Sequence, residues 1–124
     1  MNDAINPKHY KSHPSGIECI QIRRHLKSNR SDAIKYLWRC GQKDAQIQEL
    51  NKAIWYLRDE IVEFGGDVEY TLHTARLLDN LLLKLALHQD DDTRRVFNFI
   101  VFGGAECLQQ AIDIIKNMIR ELGQ

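Results

Sequence analysis

The stretch between Asp44 and Gly66 constrains this chain more than any other. Ile47, Leu50, Ile54, Leu57, Ile61 and Phe64 follow one another at steps of three and four residues, and Gly65-Gly66 ends the run. That spacing puts all six on one face of an α-helix, with Asp44 placed to cap it. One continuous apolar stripe has to be covered by other elements, and the neighbouring segments also read as helices.

Ser15 and Glu18 have the spacing of a capping box, and Ile17, Cys19, Ile20 and Leu26 supply a stripe for a first helix. Ser31 then caps a short helix with Asp32 in its first turn, Ile34, Leu37 and Trp38 facing inward, and Gly41 as its stop. A segment from Asp67 through His88 carries Leu72, Leu77, Leu78, Leu81, Leu82, Leu85 and Leu87. It is apolar over more than half its circumference, which suits a central helix or an oligomer interface. Val96 to Phe102 is β-prone in composition but sits between helical neighbours, and is read as a short buried helix. After Gly103-Gly104, the residues Cys107, Leu108, Ala111, Ile112, Ile115 and Ile119 describe a final amphipathic helix. The expectation is an all-α fold, a small bundle of about five or six helices in one domain over residues 1–124. Residues 1–14, with Pro7 and Pro14, form an extended arm; 15–64 and 65–124 form two halves.

The halves echo each other. Residues 34–41 line up with 97–104, and Leu50-Asn51-Lys52-Ala53-Ile54 with Leu108-Gln109-Gln110-Ala111-Ile112. This suggests a degenerate repeat of a helix-loop-helix-turn-helix unit, although any two amphipathic helices joined at glycine share these traits. The second copy lacks the charges at positions matching Lys35, Arg39 and Lys52.

Seventeen basic residues balance seventeen acidic ones, so there is no bulk electrostatic case for nucleic acid or an anionic membrane. The balance is uneven: residues 1–64 are at +3 and residues 65–124 at −3, which directs the search for an anion site to the front half. No apolar run approaches the ~20 residues of a membrane span, and the N-terminus lacks the pattern of a signal peptide. Three separated cysteines without a C-x-x-C pair point to a reducing cytoplasm.

The densest polar constellation is residues 35–43 followed by 51–56. Lys35 and Arg39 share a helix face, Lys43 continues past the turn, and Lys52 with Trp55 or Tyr56 arrives from the antiparallel partner. Cations mixed with aromatic rings suit phosphate plus a flat base. The same residues also describe a solvated basic face over buried aromatics. Glu18, Asp32, Asp44 and Glu49 lie near enough in sequence to hold a metal there or to neutralise Arg39. Neither a Walker loop, a Rossmann fingerprint nor a G-x-S-x-G elbow is present. The His9 and His13 spacing would suit zinc on a helix but falls in the arm, and Asp90-Asp91-Asp92 suits a helix N-terminus better than a cation site.

Four blocks, Asn6-Pro7-Lys8-His9-Tyr10, Gly16-Ile17-Glu18-Cys19-Ile20, residues 34–43 and residues 50–57, occur in an order and spacing that resemble the SaV-like family of small phage proteins. That family is a domain of unknown function that includes the nucleotide kinase of T7-like phages. The resemblance covers about residues 6–61. It implies a phage protein acting in the bacterial cytoplasm, and in one branch the phosphorylation of deoxynucleoside monophosphates with ATP and Mg²⁺ without a Walker motif. Carried over by position, it makes His9, Tyr10, Glu18, Lys35, Tyr36, Arg39, Lys43 and Lys52 the candidate site. Lys35, Arg39 and Lys52 would meet phosphate charge, Tyr10 or Trp55 would stack on the base, and Glu18 with Asp32 would contact metal or ribose. Where the family usually has Asn before the Lys-Tyr block, this chain has Asp32.

Two alternatives accompany a homo-oligomeric kinase: a module that sequesters a nucleotide without turnover, and a protein that binds a host protein as an inhibitor or anti-defence factor. The missing catalytic base favours sequestration over turnover.

Overall fold

The computed structural model of the chain describes residues 13–39 and 45–123. Six helices account for all regular structure among them: α1 Cys19–Arg23, α2 Ser28–Arg39, α3 Gln46–Phe64, α4 Leu72–Ala86, α5 Asp91–Phe102 and α6 Ala105–Leu122. The fold is a small all-α bundle, as the periodicities predict. Helix α3 is its axis, packed along α2 on one side and α6 on the other; α5 packs on α6, and α1 on α2. Leu50, Ala53, Ile54 and Leu57 of α3 close the core with Ile34, Ile100, Leu108, Ile112 and Ile115. The two echoing segments thus become two packed helix pairs, α2 with α3 and α5 with α6, joined through α3 and α6.

Several boundaries differ from the expectation, each for a local reason. The capping box of α1 is Glu18 with Gln21, whose side-chain oxygen accepts the Glu18 N–H at 2.7 Å, and the helix starts at Cys19 rather than Ser15. Ser15 instead holds a turn, its Oγ accepting the Ile17 N–H at 3.1 Å. Ile20 is exposed, and Ile22 takes the core position beside Cys19. Helix α2 begins at Ser28, so Ser31 is inside the helix and not its cap. Asp44 and Gly41, the expected cap and stop, lie outside the described residues, as does the arm through residue 12.

The leucine-rich segment is not the central helix. Residues 67–70 are not helical, and α4 starts at Leu72 with the Thr71 side chain accepting the Thr74 N–H at 3.1 Å. It packs chiefly on α5, burying Leu78, Leu81, Leu82 and Leu85 and leaving Leu72 and Leu83 at 67% and 60% exposure, with Leu87 just past its end at 83%. The β-prone run is helical, as expected. Asp90 caps α5 by accepting the Thr93 N–H at 2.7 Å, Asp91 and Asp92 face the positive end of the helix dipole, and Val96, Phe97, Ile100 and Val101 are buried.

One buried charge joins the two halves. Arg30, one residue before the cap expected at Ser31, lies inside α2 at 1% exposure and donates in three directions. Its guanidinium reaches the carbonyl oxygens of Ile100 at 2.7 Å, Gly103 at 2.9 Å and Gly66 at 2.8 Å, with Nε 3.4 Å from Glu60 Oε2. Ile100 and Gly103 lie at the C-terminal end of α5 and Gly66 just past that of α3, where unpaired carbonyls collect and the helix dipole attracts a cation. Glycine is required where these ends meet. A Cβ at Gly66, whose φ is +74°, would stand 2.5 Å from the Ala105 nitrogen; one at Gly103 would stand 2.3 Å from the Cys107 Cβ.

Candidate functional site

Because α2 and α3 pack along each other, residues about sixteen apart in sequence share one outer face. Lys35 and Tyr36 leave α2, and Lys52, Trp55 and Tyr56 leave α3. The Tyr36 and Tyr56 rings stack with centroids 5.7 Å apart and planes 13° from parallel. Two ammonium groups sit on the same ring: Lys35 Nζ is 4.7 Å and Lys52 Nζ 5.2 Å from the Tyr36 centroid. Such contacts draw on the negative face of the aromatic ring. Trp55 meets Tyr56 edge-on at 5.1 Å and is 61% exposed.

Carboxylates at the margin hold these cations. Asp32 Oδ1 lies 3.9 Å from Lys35 Nζ and 3.6 Å from Arg23 Nη2; Glu49 Oε1 lies 4.0 Å from Lys52 Nζ. Arg23, absent from the sequence expectation, is anchored by its Nε donating to the Ser31 carbonyl and hydroxyl oxygens, both at 3.1 Å. Three cations therefore face two carboxylates. Glu49 is buried, and its Oε2 has no hydrogen-bond partner among the described residues. Tyr56 ionises above the ordinary phenol value, chiefly because of neighbouring Tyr36, then burial, Asp32 and a hydrogen bond with Tyr36. Beneath the face, burial pushes the Cys19 thiol up to about 12 despite nearby Arg23 and Lys35.

Of the residues expected from sequence, the structure brings together Lys35, Tyr36, Lys52, Trp55 and Asp32. Arg39 occupies the last turn of α2, one turn on from Lys35 and half-buried. Glu18 is the N-cap of α1, engaged with Gln21. His9, Tyr10 and Lys43 lie outside the described residues. Among the described residues no group of three or more His, Cys, Asp or Glu is arranged to hold a metal ion, and no helix is long and apolar enough to cross a membrane. The aromatics are not simply core: Trp55 is largely in solvent, and Tyr36 and Tyr56 are half-buried.

The sequence reading missed Glu49 as a fixed partner of Lys52, although its i, i+3 spacing on α3 was a usable signal. It missed Arg23 because that contact depends on the turn between α1 and α2. No curated protein and no solved structure matches the chain. Residues 5–58, which take in α1, α2 and most of α3 and thus every side chain of this face, are similar to a family described as a protein of unknown function, DUF3310.

Proposed function

We propose that the Lys35–Tyr36–Lys52 face binds the phosphates of a nucleotide, with Trp55 available to stack on its base, and that the chain is a phage nucleotide-handling protein. The observation that supports this reading is the convergence of two ammonium groups from different helices on one aromatic ring, beside an exposed indole. Each ammonium has three donors, and phosphate oxygens are stronger acceptors than the ring they now cover. Arg39, on the same side of α2 as Lys35, extends the cationic face.

The activity this supports is transfer of the ATP γ-phosphoryl group to a deoxynucleoside monophosphate. A phosphate oxygen of the acceptor would form the new P–O bond, the bond to the bridging β,γ-oxygen would break, and ADP would leave. At neutral pH the acceptor oxygen is already largely deprotonated, so the step needs positioning and charge neutralisation more than a base. That removes the objection raised by a missing catalytic base. Mg²⁺ would arrive on the nucleotide phosphates, with Asp32 or Glu49 as carboxylates to approach it; Mg²⁺ is commonly held by one or two carboxylates plus phosphates.

The second reading, a protein-interaction role with a host protein or a second copy of the chain, is favoured by the exposed leucines of α4. A thermal-shift panel of nucleoside mono-, di- and triphosphates with and without Mg²⁺ separates the two, because ligands that bind only the folded state raise the midpoint. A rise for one class that is abolished in Lys35→Ala/Lys52→Ala supports the nucleotide site. No rise with any nucleotide removes it.

A further inference from the structure

A second concavity, whose lining includes none of the lysines, lies where the first described residues meet the turn between α4 and α5. It encloses about 250 Å³ and is lined by His13, Trp38, His88, Asp90, Thr93 and Phe97 among others. The Trp38 indole packs between two rings, with the His13 centroid at 5.1 Å and the Phe97 centroid at 6.1 Å, and His88 stands edge-on to His13 at 6.4 Å.

Its hydrogen-bonding character is mixed. His13 Nδ1 accepts the Ser15 N–H at 3.1 Å and is 2.7 Å from the Ser15 hydroxyl oxygen, so the neutral ring carries its proton on Nε2 as a donor. Burial, and then His88, hold His13 below its ordinary value, which keeps that neutral form near pH 7. Trp38 is 7% exposed, and its indole N–H has no acceptor among the described residues. Buried polar groups of this kind are normally satisfied. On the acceptor side stands the Asp90 carboxylate, with one oxygen already occupied in capping α5.

Other ligand classes fit this lining less well. A metal ion is disfavoured because no group of three His, Cys, Asp or Glu is suitably arranged among the described residues. An anion would meet Asp90, and an apolar ligand would strand the donors. The volume falls just below the ~300–1,000 Å³ of pockets that take drug-sized ligands. We infer that this cleft is a second binding site, separate from the lysine face, for a small uncharged planar ring bearing a carbonyl acceptor: a free amide or heterocycle, or the base of a nucleoside.

The chain's two tryptophans, Trp38 in the cleft and Trp55 on the lysine face, provide a site-resolved readout. In ¹⁵N-labelled full-length protein each gives one indole N–H resonance, assigned with Trp55→Phe. Benzamide, benzoate and uracil are titrated as probes. The expected result is that benzamide or uracil moves the Trp38 resonance and leaves Trp55 in place, that benzoate binds at least fivefold more weakly than benzamide, and that His13→Ala or His88→Ala weakens the interaction at least fivefold. Uridine then separates the sources: binding like uracil assigns the base of a nucleoside, and exclusion assigns a free ring. A Trp38 resonance unmoved by both neutral probes, tighter binding of benzoate, or unchanged affinity in both histidine variants would overturn the inference. None of these readouts depends on phosphate binding at the lysine face.

Discussion

Arg30 on α2 and Glu60 on α3 form an ion pair, Nε to Oε2 at 3.4 Å, with each side chain 1% exposed. Their charges are tolerated because the guanidinium also satisfies three backbone carbonyls. Removing one member of such a pair strands the other and typically costs about 3–5 kcal/mol. Arg30→Met is therefore expected to lower unfolding free energy by about that amount in urea denaturation. Arg30→Met/Glu60→Leu should recover part of the loss by removing the stranded carboxylate. A single variant as stable as the parent would contradict the linking role.

Gly65 and Gly66 both have positive φ, at +65° and +74°, but differ in surroundings. A Cβ at Gly65 meets nothing within 4 Å, whereas one at Gly66 meets the backbone of Ala105. Gly65→Ala should cost only the backbone penalty of about 1 kcal/mol, and Gly66→Ala clearly more, because backbone must shift and the carbonyl bound by Arg30 shifts with it. Paired urea midpoints decide this.

His13 is held below its ordinary value of 6.5, so on acidification the unfolded chain takes up that proton first. Stability should therefore be unaffected by His13 above about pH 6.5, fall as the pH drops through it, and level off once the folded protein is also protonated. Denaturation midpoints at pH 7.5, 6.0 and 5.0 should show a steeper fall for the parent than for His13→Gln.

Cys19 is buried with its thiol pushed up to about 12, so little thiolate exists near neutral pH. Iodoacetamide labelling followed by peptide mass spectrometry should find Cys19 modified only under denaturing conditions, and Cys107, which is partly exposed, modified earlier.

On the proposed phosphate face, Lys52 is held by Glu49 and by the Tyr36 ring. Lys52→Ala and Lys35→Ala should each weaken nucleotide binding about tenfold while changing the unfolding midpoint little, since both side chains are at the surface. Calorimetric titration with the nucleotide class found by thermal shift measures the first, and a melt without ligand the second.

Helical period and glycine stops in the sequence were enough to establish an all-α bundle, the identity of α3 and α6, and the caps of α5. These depend on neighbours three and four residues apart, whose interactions are local. The pairing of Lys35 and Tyr36 with Lys52 and Trp55 was also legible, because so few residues separate Arg39 from Gln46 in the sequence that the two helices have few ways to pack. Tertiary structure alone decided the rest. It placed Arg30 in the core, since its partners Glu60, Gly66, Ile100 and Gly103 are 30 to 73 residues away and no local pattern announces them. It moved the leucine-rich α4 from centre to edge, because composition shows how much apolar surface a helix has but not how much its neighbours cover. It also gathered His13, Trp38 and His88 around one cleft, a juxtaposition set by chain crossings rather than by spacing.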